Sequence, residues 1–128
     1  MGSATESISI LVIDDDRAVL TYLKAVLGRE GYRVFTALDA LHGPMVARQA
    51  QPDLVVLDLA MPGGGGPAVL DRLRLMQGVR DVPVLVYSGL SKDRVDELVP
   101  SGPGVSFIAK PGTPDEVLQA VRGLLSAN

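Results

Sequence analysis

The sequence predicts an α/β fold: a doubly wound, five-stranded parallel sheet with helices on both faces. Three observations carry the prediction. The apolar runs are continuous rather than alternating, as in strands buried on both faces. Segments of helical period separate those runs. Strand and helix alternate along the whole chain, so right-handed crossovers are expected.

Ile8 to Ile13, Leu54 to Leu57 and Val82 to Tyr87 are the clearest strands, and Val34 to Ala37 and Val105 to Ala109 are weaker ones. Arg17 to Arg29 carries Val19, Leu20, Leu23, Val26 and Leu27 on one helical stripe, and Gly31 can close it. Gly43-Pro44 stands where helix formers would be wanted, so the second helix is expected to start near His42 and to be short. Pro67 to Met76 presents Val69, Leu70 and Leu73, with Pro67 acceptable at the first helical position. Lys92 to Val99 is a shorter helix. Thr113-Pro114-Asp115-Glu116 has the form of a capping box and opens the last helix, through Val117, Leu118, Val121, Leu124 and Leu125.

The 128 residues fit one domain, and 47% hydrophobic with 21% charged residues excludes a disordered chain. A net charge of −3 argues against nucleic-acid contact by this chain itself, because phosphate backbones are met by a basic face. The absence of cysteine excludes disulfides, thiolate metal sites and a Cys nucleophile, and makes a reducing cytoplasm the simplest compartment. No apolar run approaches the length of a membrane span and no basic leader opens the chain, so no membrane contact is expected. Residues 1–7 read as a disordered or cloning-derived tail, and residues 8–126 as the domain.

In an open parallel sheet, ligands gather at the carboxyl ends of the strands. There the sequence puts Asp14-Asp15-Asp16 after the first strand, Asp58 after the third, Ser88-Gly89 at the fourth and Lys110-Pro111 at the fifth. Clustered carboxylates repel one another unless a hard cation sits among them. An all-oxygen set without His or Cys points to Mg²⁺ rather than Zn²⁺. A carboxylate beside such a cation can attack phosphorus, and the cation, an ammonium, a hydroxyl and loop N–H groups can receive the phosphoryl oxygens. Taken singly, each feature has a plainer reading: a helix cap for the acids, a turn acid for Asp58, a solvated lysine, a loop hydroxyl. Their joint placement at one sheet edge is what the plainer reading leaves unexplained.

These segments resemble those of response-regulator receiver domains, from about Ile8 to Leu125. Ile10 to Asp16 is similar to the family's first strand and acidic pair. Pro52 to Pro62, with Gly66, is similar to the phosphoacceptor segment. Val82 to Gly89 is similar to the strand that bears the switch hydroxyl, and Phe107 to Pro111 to the aromatic-to-lysine segment. The resemblance implies a (βα)₅ flavodoxin-like receiver fold with Asp58 as phosphoacceptor. It implies a Mg²⁺ site of Asp14, Asp15, Asp58 and the Ala60 carbonyl, with Asp15 a direct ligand. Lys110 is expected to pair with Asp58 at rest, Ser88 and Phe107 to be the switch pair, and the Lys110–Pro111 peptide to be cis. The implied phosphodonor is a histidine kinase or its phosphotransfer domain. The implied output is the face of the fourth helix, fifth strand and fifth helix, a possible dimer surface, with Arg94 to Leu98, Phe107 and Val117 to Arg122.

Ser88-Gly89 replaces the family's commoner Thr-Ala, and Gly63 to Gly66 is expected to leave the loop after Asp58 unusually free. Ser88-Gly89, Gly104 to Phe107 and Lys110 to Pro114 resemble receivers attached to hybrid histidine kinases. Two rivals remain. An Asp-nucleophile phosphatase would want a second acid two residues after the nucleophile, where this chain has Ala60. A degenerate receiver acting as a phosphorylation-independent interaction module would not need Asp14, Asp15, Asp58, Ser88 and Lys110 intact. The domain itself is read as a phosphoacceptor with self-dephosphorylation rather than an enzyme, although a hybrid parent chain would be a kinase.

His42, the single histidine, reads as a surface or cap residue. Gly63, Gly65 and Ala68 fit the dinucleotide fingerprint only formally, since they do not follow the first strand. Arg72, Arg74 and Arg80 read as a solvated helix face, and Met45, Met61 and Met76 as packing residues rather than a cofactor site.

Overall fold

The computed structural model describes residues 8–100 and 102–127, so the expectation for residues 1–7 lies outside the described residues. The strands are β1 Ser9–Ile13, β2 Arg33–Ala37, β3 Leu54–Leu57, β4 Val84–Ser88 and β5 Val105–Ala109. The helices are α1 Arg17–Gly28, α2 His42–Ala50, α3 Gly65–Arg74, α4 Lys92–Leu98 and α5 Pro114–Ser126. All strand pairs are parallel, in the order β2-β1-β3-β4-β5. The chain thus winds outward from β1 in one direction and from β3 in the other, which makes the gap between them the topological switch point.

Alternate residues of each strand serve opposite layers. Ile10, Val12, Leu54, Val56, Leu85 and Tyr87 pack with Leu20, Leu23 and Leu27 of α1 and Val117, Val121 and Leu124 of α5. Leu11, Ile13, Val55, Leu57, Val84 and Val86 pack with Ala47 of α2, Val69, Leu70 and Leu73 of α3 and Val95 of α4. Apolar residues on both faces are why these strands read as continuous runs, and each fully buried leucine contributes about 1.5–3 kcal/mol. Among the described residues, no helix is long and apolar enough to cross a membrane.

The capping box at α5 forms as expected. The Glu116 N–H donates to Thr113 Oγ1 at 3.2 Å and the Thr113 N–H to Glu116 Oε1 at 3.0 Å, which holds the Glu116 carboxyl below its ordinary value. The second helix starts at His42, also as expected. Asp39 Oδ1 accepts from the N–H groups of Leu41 and His42 at 3.0 and 2.7 Å, and His42 Nδ1 lies 2.9 Å from the same carboxylate. These contacts, the His42 N–H first, hold the Asp39 carboxyl below its ordinary value, and His42 is an exposed surface residue, the first of α2 after the N-cap Leu41. Gly43 is there for proximity: a Cβ would stand 2.9 Å from Ile13 Cδ1.

Three expectations are corrected. β4 begins at Val84 rather than Val82, because Pro83 has no N–H to donate into the ladder. α3 runs Gly65–Arg74 rather than Pro67 to Met76. A 3₁₀ turn, Pro62–Gly64, starts it early, and Pro67 still falls in a first turn that needs no N–H. Its end tightens through i→i−3 bonds from Leu75 to Arg72 and from Met76 to Leu73. Arg74 is not simply solvated, since its Nη1 donates to the carbonyls of Arg80 and Val82 at 2.9 and 2.7 Å.

Candidate functional site

Backbone ladders position Asp14, Asp58 and Lys110 one residue beyond β1, β3 and β5, and Ser88 as the last residue of β4. The Asp14 N–H donates to the Ala37 carbonyl at 3.1 Å, the Asp58 N–H to Ile13 at 3.0 Å and the Lys110 N–H to Ser88 at 2.9 Å. Asp14 and Asp58 are thereby fixed against neighbouring strands at the switch point, and Lys110 is tied to the end of β4. The Lys110–Pro111 peptide is cis, as expected.

The acidic triplet divides its work. Asp16 caps α1, its Oδ1 accepting from the Ala18 N–H at 2.9 Å. Asp14 points inward and is 2% exposed, whereas Asp15 is exposed. Carboxylate oxygens of Asp14, Asp15 and Asp58 lie within 4.8 Å of one another. This is an all-oxygen group, the kind of donor set that a hard divalent cation takes.

Asp14 Oδ2 accepts from Lys110 Nζ at 2.7 Å and Oδ1 from the Asp16 N–H at 2.9 Å. Burial still holds the Asp14 carboxyl above its ordinary value. The Lys110 hydrogen bond and the Asp16 N–H pull the other way, and the Asp58 charge adds to the rise. Lys110 Nζ lies 3.7 Å from Asp58 Oδ2, so the resting ion pair of Lys110 with Asp58 is present, and Asp14 is a second and closer partner that the sequence did not indicate. The reason is geometric. Asp58 turns Oδ1 to the Ala60 N–H at 3.1 Å, which leaves Oδ2 on the side of the ammonium at longer range.

Ser88 is fully buried at the end of β4, and its Oγ accepts from the Leu90 N–H at 3.2 Å. Phe107 is half-buried in β5 opposite Val86, packed against the core on the α2, α3 and α4 side. Ala60 is exposed and Gly89 has open space around it.

Gly66 corrects the picture of a free glycine loop. A Cβ there would stand 2.3 Å from Leu59 Cα and 2.6 Å from the Asp58 carbonyl oxygen, so the start of α3 lies directly on the backbone that carries Asp58. Sequence reasoning also missed Tyr22 and Tyr87, whose hydroxyls both bond the Gly112 peptide. For Tyr87 the available signal was a tyrosine following the aliphatic run of β4, whereas Tyr22 lies on α1 and carried none. A surface cavity of about 830 Å³ opens at the opposite edge of the sheet, around Gln51, Asp53, Gln77, Arg80 and Pro83. It holds none of these residues, so the carboxyl edge is where the acids, the ammonium and the buried hydroxyl meet.

The family model for the response regulator receiver domain matches residues 10–122. The chain is 38% identical over 117 residues to the DNA-binding dual master transcriptional regulator RpaA of a Synechocystis strain, covering 91% of this chain and 48% of that protein. It is 32% identical over 117 residues to sporulation initiation phosphotransferase F of Bacillus subtilis, covering 91% of this chain and 92% of that one. Among solved structures it is similar to the receiver domain of the Pseudomonas aeruginosa sensor histidine kinase PA1611, described with a magnesium ion coordinated in the active-site cleft. The TM-score there is 0.81 at 23% identity, over 93% of this chain and 98% of that one. The chain spans about half the length of RpaA and of the PrrA regulators that it also matches. With its five parallel strands, its carboxylates at the switch point and its lysine at the end of β5, the chain belongs to the response regulator receiver domain family of two-component signalling.

Proposed function

We propose that residues 8–126 form a phosphoacceptor domain in which Asp58 takes a phosphoryl group from a phosphohistidine of a histidine kinase or its phosphotransfer domain. The observation that carries this reading is the buried Asp58 carboxylate, with Oδ1 held by the Ala60 N–H and Oδ2 facing Lys110 at 3.7 Å. Oδ2 is the nucleophile. It forms the new O–P bond as the P–N bond breaks, and the electron pair of that bond leaves with the imidazole nitrogen.

Asp14, Asp15, Asp58 and the Ala60 carbonyl are the ligands for Mg²⁺. The three clustered carboxylates support this, as does the magnesium named for the PA1611 receiver. Bound there, Mg²⁺ supplies charge neutralisation for the phosphoryl oxygens. Lys110 adds a second positive charge, and the Ser88 hydroxyl can rotate its proton toward an incoming oxygen, since its lone pair already takes the Leu90 N–H.

Ser88 and Phe107 form the switch pair, and the α4-β5-α5 face is the surface that changes and can pair two copies. Phosphoryl transfer onward is in keeping with the name of the Bacillus relative. Attachment to a hybrid histidine kinase, a cytoplasmic setting and the absence of nucleic-acid contact by this domain belong to the same reading, the last on the net charge of −3. Incubation with a small phosphodonor and Mg²⁺, followed by intact mass, tests it: one phosphoryl group should appear on the wild type and none on Asp58→Asn.

A further inference from the structure

Two phenol hydroxyls converge on one peptide group. Tyr22 Oη, on α1, donates to the Gly112 carbonyl at 2.9 Å, and the Gly112 N–H donates to Tyr87 Oη at 3.0 Å. Gly112 and Tyr87 are both buried, and a Cβ on Gly112 would stand 2.8 Å from Ile108 Cγ2 and 3.2 Å from Tyr87 Cε1, so the segment is closely seated. Gly112 lies two residues beyond Lys110, whose own N–H is tied to Ser88 at 2.9 Å and whose ammonium stands 5.7 Å from the centre of the Tyr87 ring. The short stretch that presents Lys110 is therefore tied down before and after the lysine. The later tie is made by side chains from two different elements.

We propose that Tyr22 and Tyr87 are positioning residues for Lys110. By holding the Gly112 peptide they set where the Lys110 ammonium meets Asp14, Asp58 and an incoming phosphoryl oxygen. The inference rests on the reading of Asp58 as phosphoacceptor. A lysine side chain is long and rotatable, so its backbone origin must be fixed if the ammonium is to be found in one place. The Tyr87 ring then limits its sweep from one side.

Tyr22→Phe and Tyr87→Phe remove only the hydroxyls and keep both rings. Each should be made alone and together with Lys110→Ala. The Lys110 ammonium ¹H–¹⁵N signal reports its placement without any phosphodonor. The initial rate of phosphorylation by acetyl phosphate, at saturating Mg²⁺ and varied donor, reports its use. Each tyrosine variant should shift or broaden the ammonium signal. Each should lower the maximal rate about threefold to tenfold with little change in the half-saturating donor concentration, as misplacement of a catalytic group does. Neither should lower the rate further in the Lys110→Ala background. An undisturbed ammonium signal, or the same fractional loss of rate without Lys110, overturns the proposal. If Tyr87→Phe fails to fold, Tyr22→Phe, at a half-buried residue, decides alone. If the wild type takes up no phosphate, the phosphoacceptor reading falls, and the ammonium signal by itself judges the tyrosine bracket.

Discussion

Lys110 Nζ lies 2.7 Å from Asp14 Oδ2 and 3.7 Å from Asp58 Oδ2, so one ammonium bridges the carboxyl ends of β1 and β3 and favours the residue that is not the proposed nucleophile. The arrangement leaves Asp58 Oδ2 less tightly engaged than Asp14 while keeping a positive charge beside it. A nucleophile locked into a short ion pair would have to break it before attacking.

Lys110→Ala should therefore leave Asp58 able to accept phosphate, only more slowly, because the oxygens it would receive lose a charge partner. The variant should also lose the response at Phe107. NMR spectra of wild type and variant, with and without an unreactive phosphoryl mimic, check this. Equal Phe107 shifts in the two proteins would rule out a coupling role for Lys110.

A pH effect follows from Asp14. Burial holds its carboxyl above the ordinary value of 3.8, so the folded protein keeps a proton that the unfolded chain releases first. That contribution to stability is complete below the ordinary value and is lost as pH rises through the folded one. In Mg²⁺-free buffer the urea midpoint of the wild type should fall across this window relative to Asp14→Asn, which has nothing to titrate there. Groups held low, such as Glu116, slope the other way but are common to both proteins. Parallel curves would contradict the assignment.

Gly66 and Gly89 make a contrasting pair. Gly66→Ala drives a Cβ into the Asp58–Leu59 backbone and should cost about 1–3 kcal/mol, in the range of overpacked cores, with slowed phosphorylation. Gly89→Ala meets nothing within 4 Å and should be near neutral in stability. Chemical denaturation of both variants measures the difference. Comparable costs would mean that the approach of α3 to Asp58 is not what Gly66 is for.

The lifetime of the phosphorylated state should be limited by unoriented water. The side chains two residues after Asp58 and after Ser88 are Ala60 and Leu90, one exposed and one half-buried, and neither can hold a water by hydrogen bonding. Ala60→Asn with Leu90→Glu should shorten the lifetime about tenfold, roughly 1.4 kcal/mol of barrier. If the double variant loses phosphate no faster, access of water around Gly63 to Gly66 becomes the better account.

Much of this site was legible in the sequence because it depends on strand ends. Continuous apolar runs mark where β1, β3 and β4 stop, and the residue that follows a buried parallel strand falls at the carboxyl edge. Asp14, Asp58, Ser88 and Lys110 could thus be placed there before any coordinates were known. What could not be read was which groups touch. The choice of Asp14 by Lys110 depends on an ångström of side-chain geometry. The packing of Gly43 on Ile13, and of Gly66 on Leu59, depends on how closely a helix approaches the sheet. Glycine spacing shows that a backbone can come close, not what it comes close to. The role of Arg74 was hidden for a similar reason, since its partners are carbonyls of Arg80 and Val82, six and eight residues away.

The central claim is that Asp58 is the phosphoacceptor, and peptide mapping after borohydride trapping of protein treated with acetyl phosphate and Mg²⁺ tests it most directly. The account predicts reduction at Asp58 alone, none in Asp58→Asn, and none when Mg²⁺ is chelated. Asp58→Asn should remain folded, and in Mg²⁺-free buffer should gain stability on the order of 1 kcal/mol as a site traded for function is relaxed. Label at another carboxylate, or undiminished label in Asp58→Asn, would contradict the account.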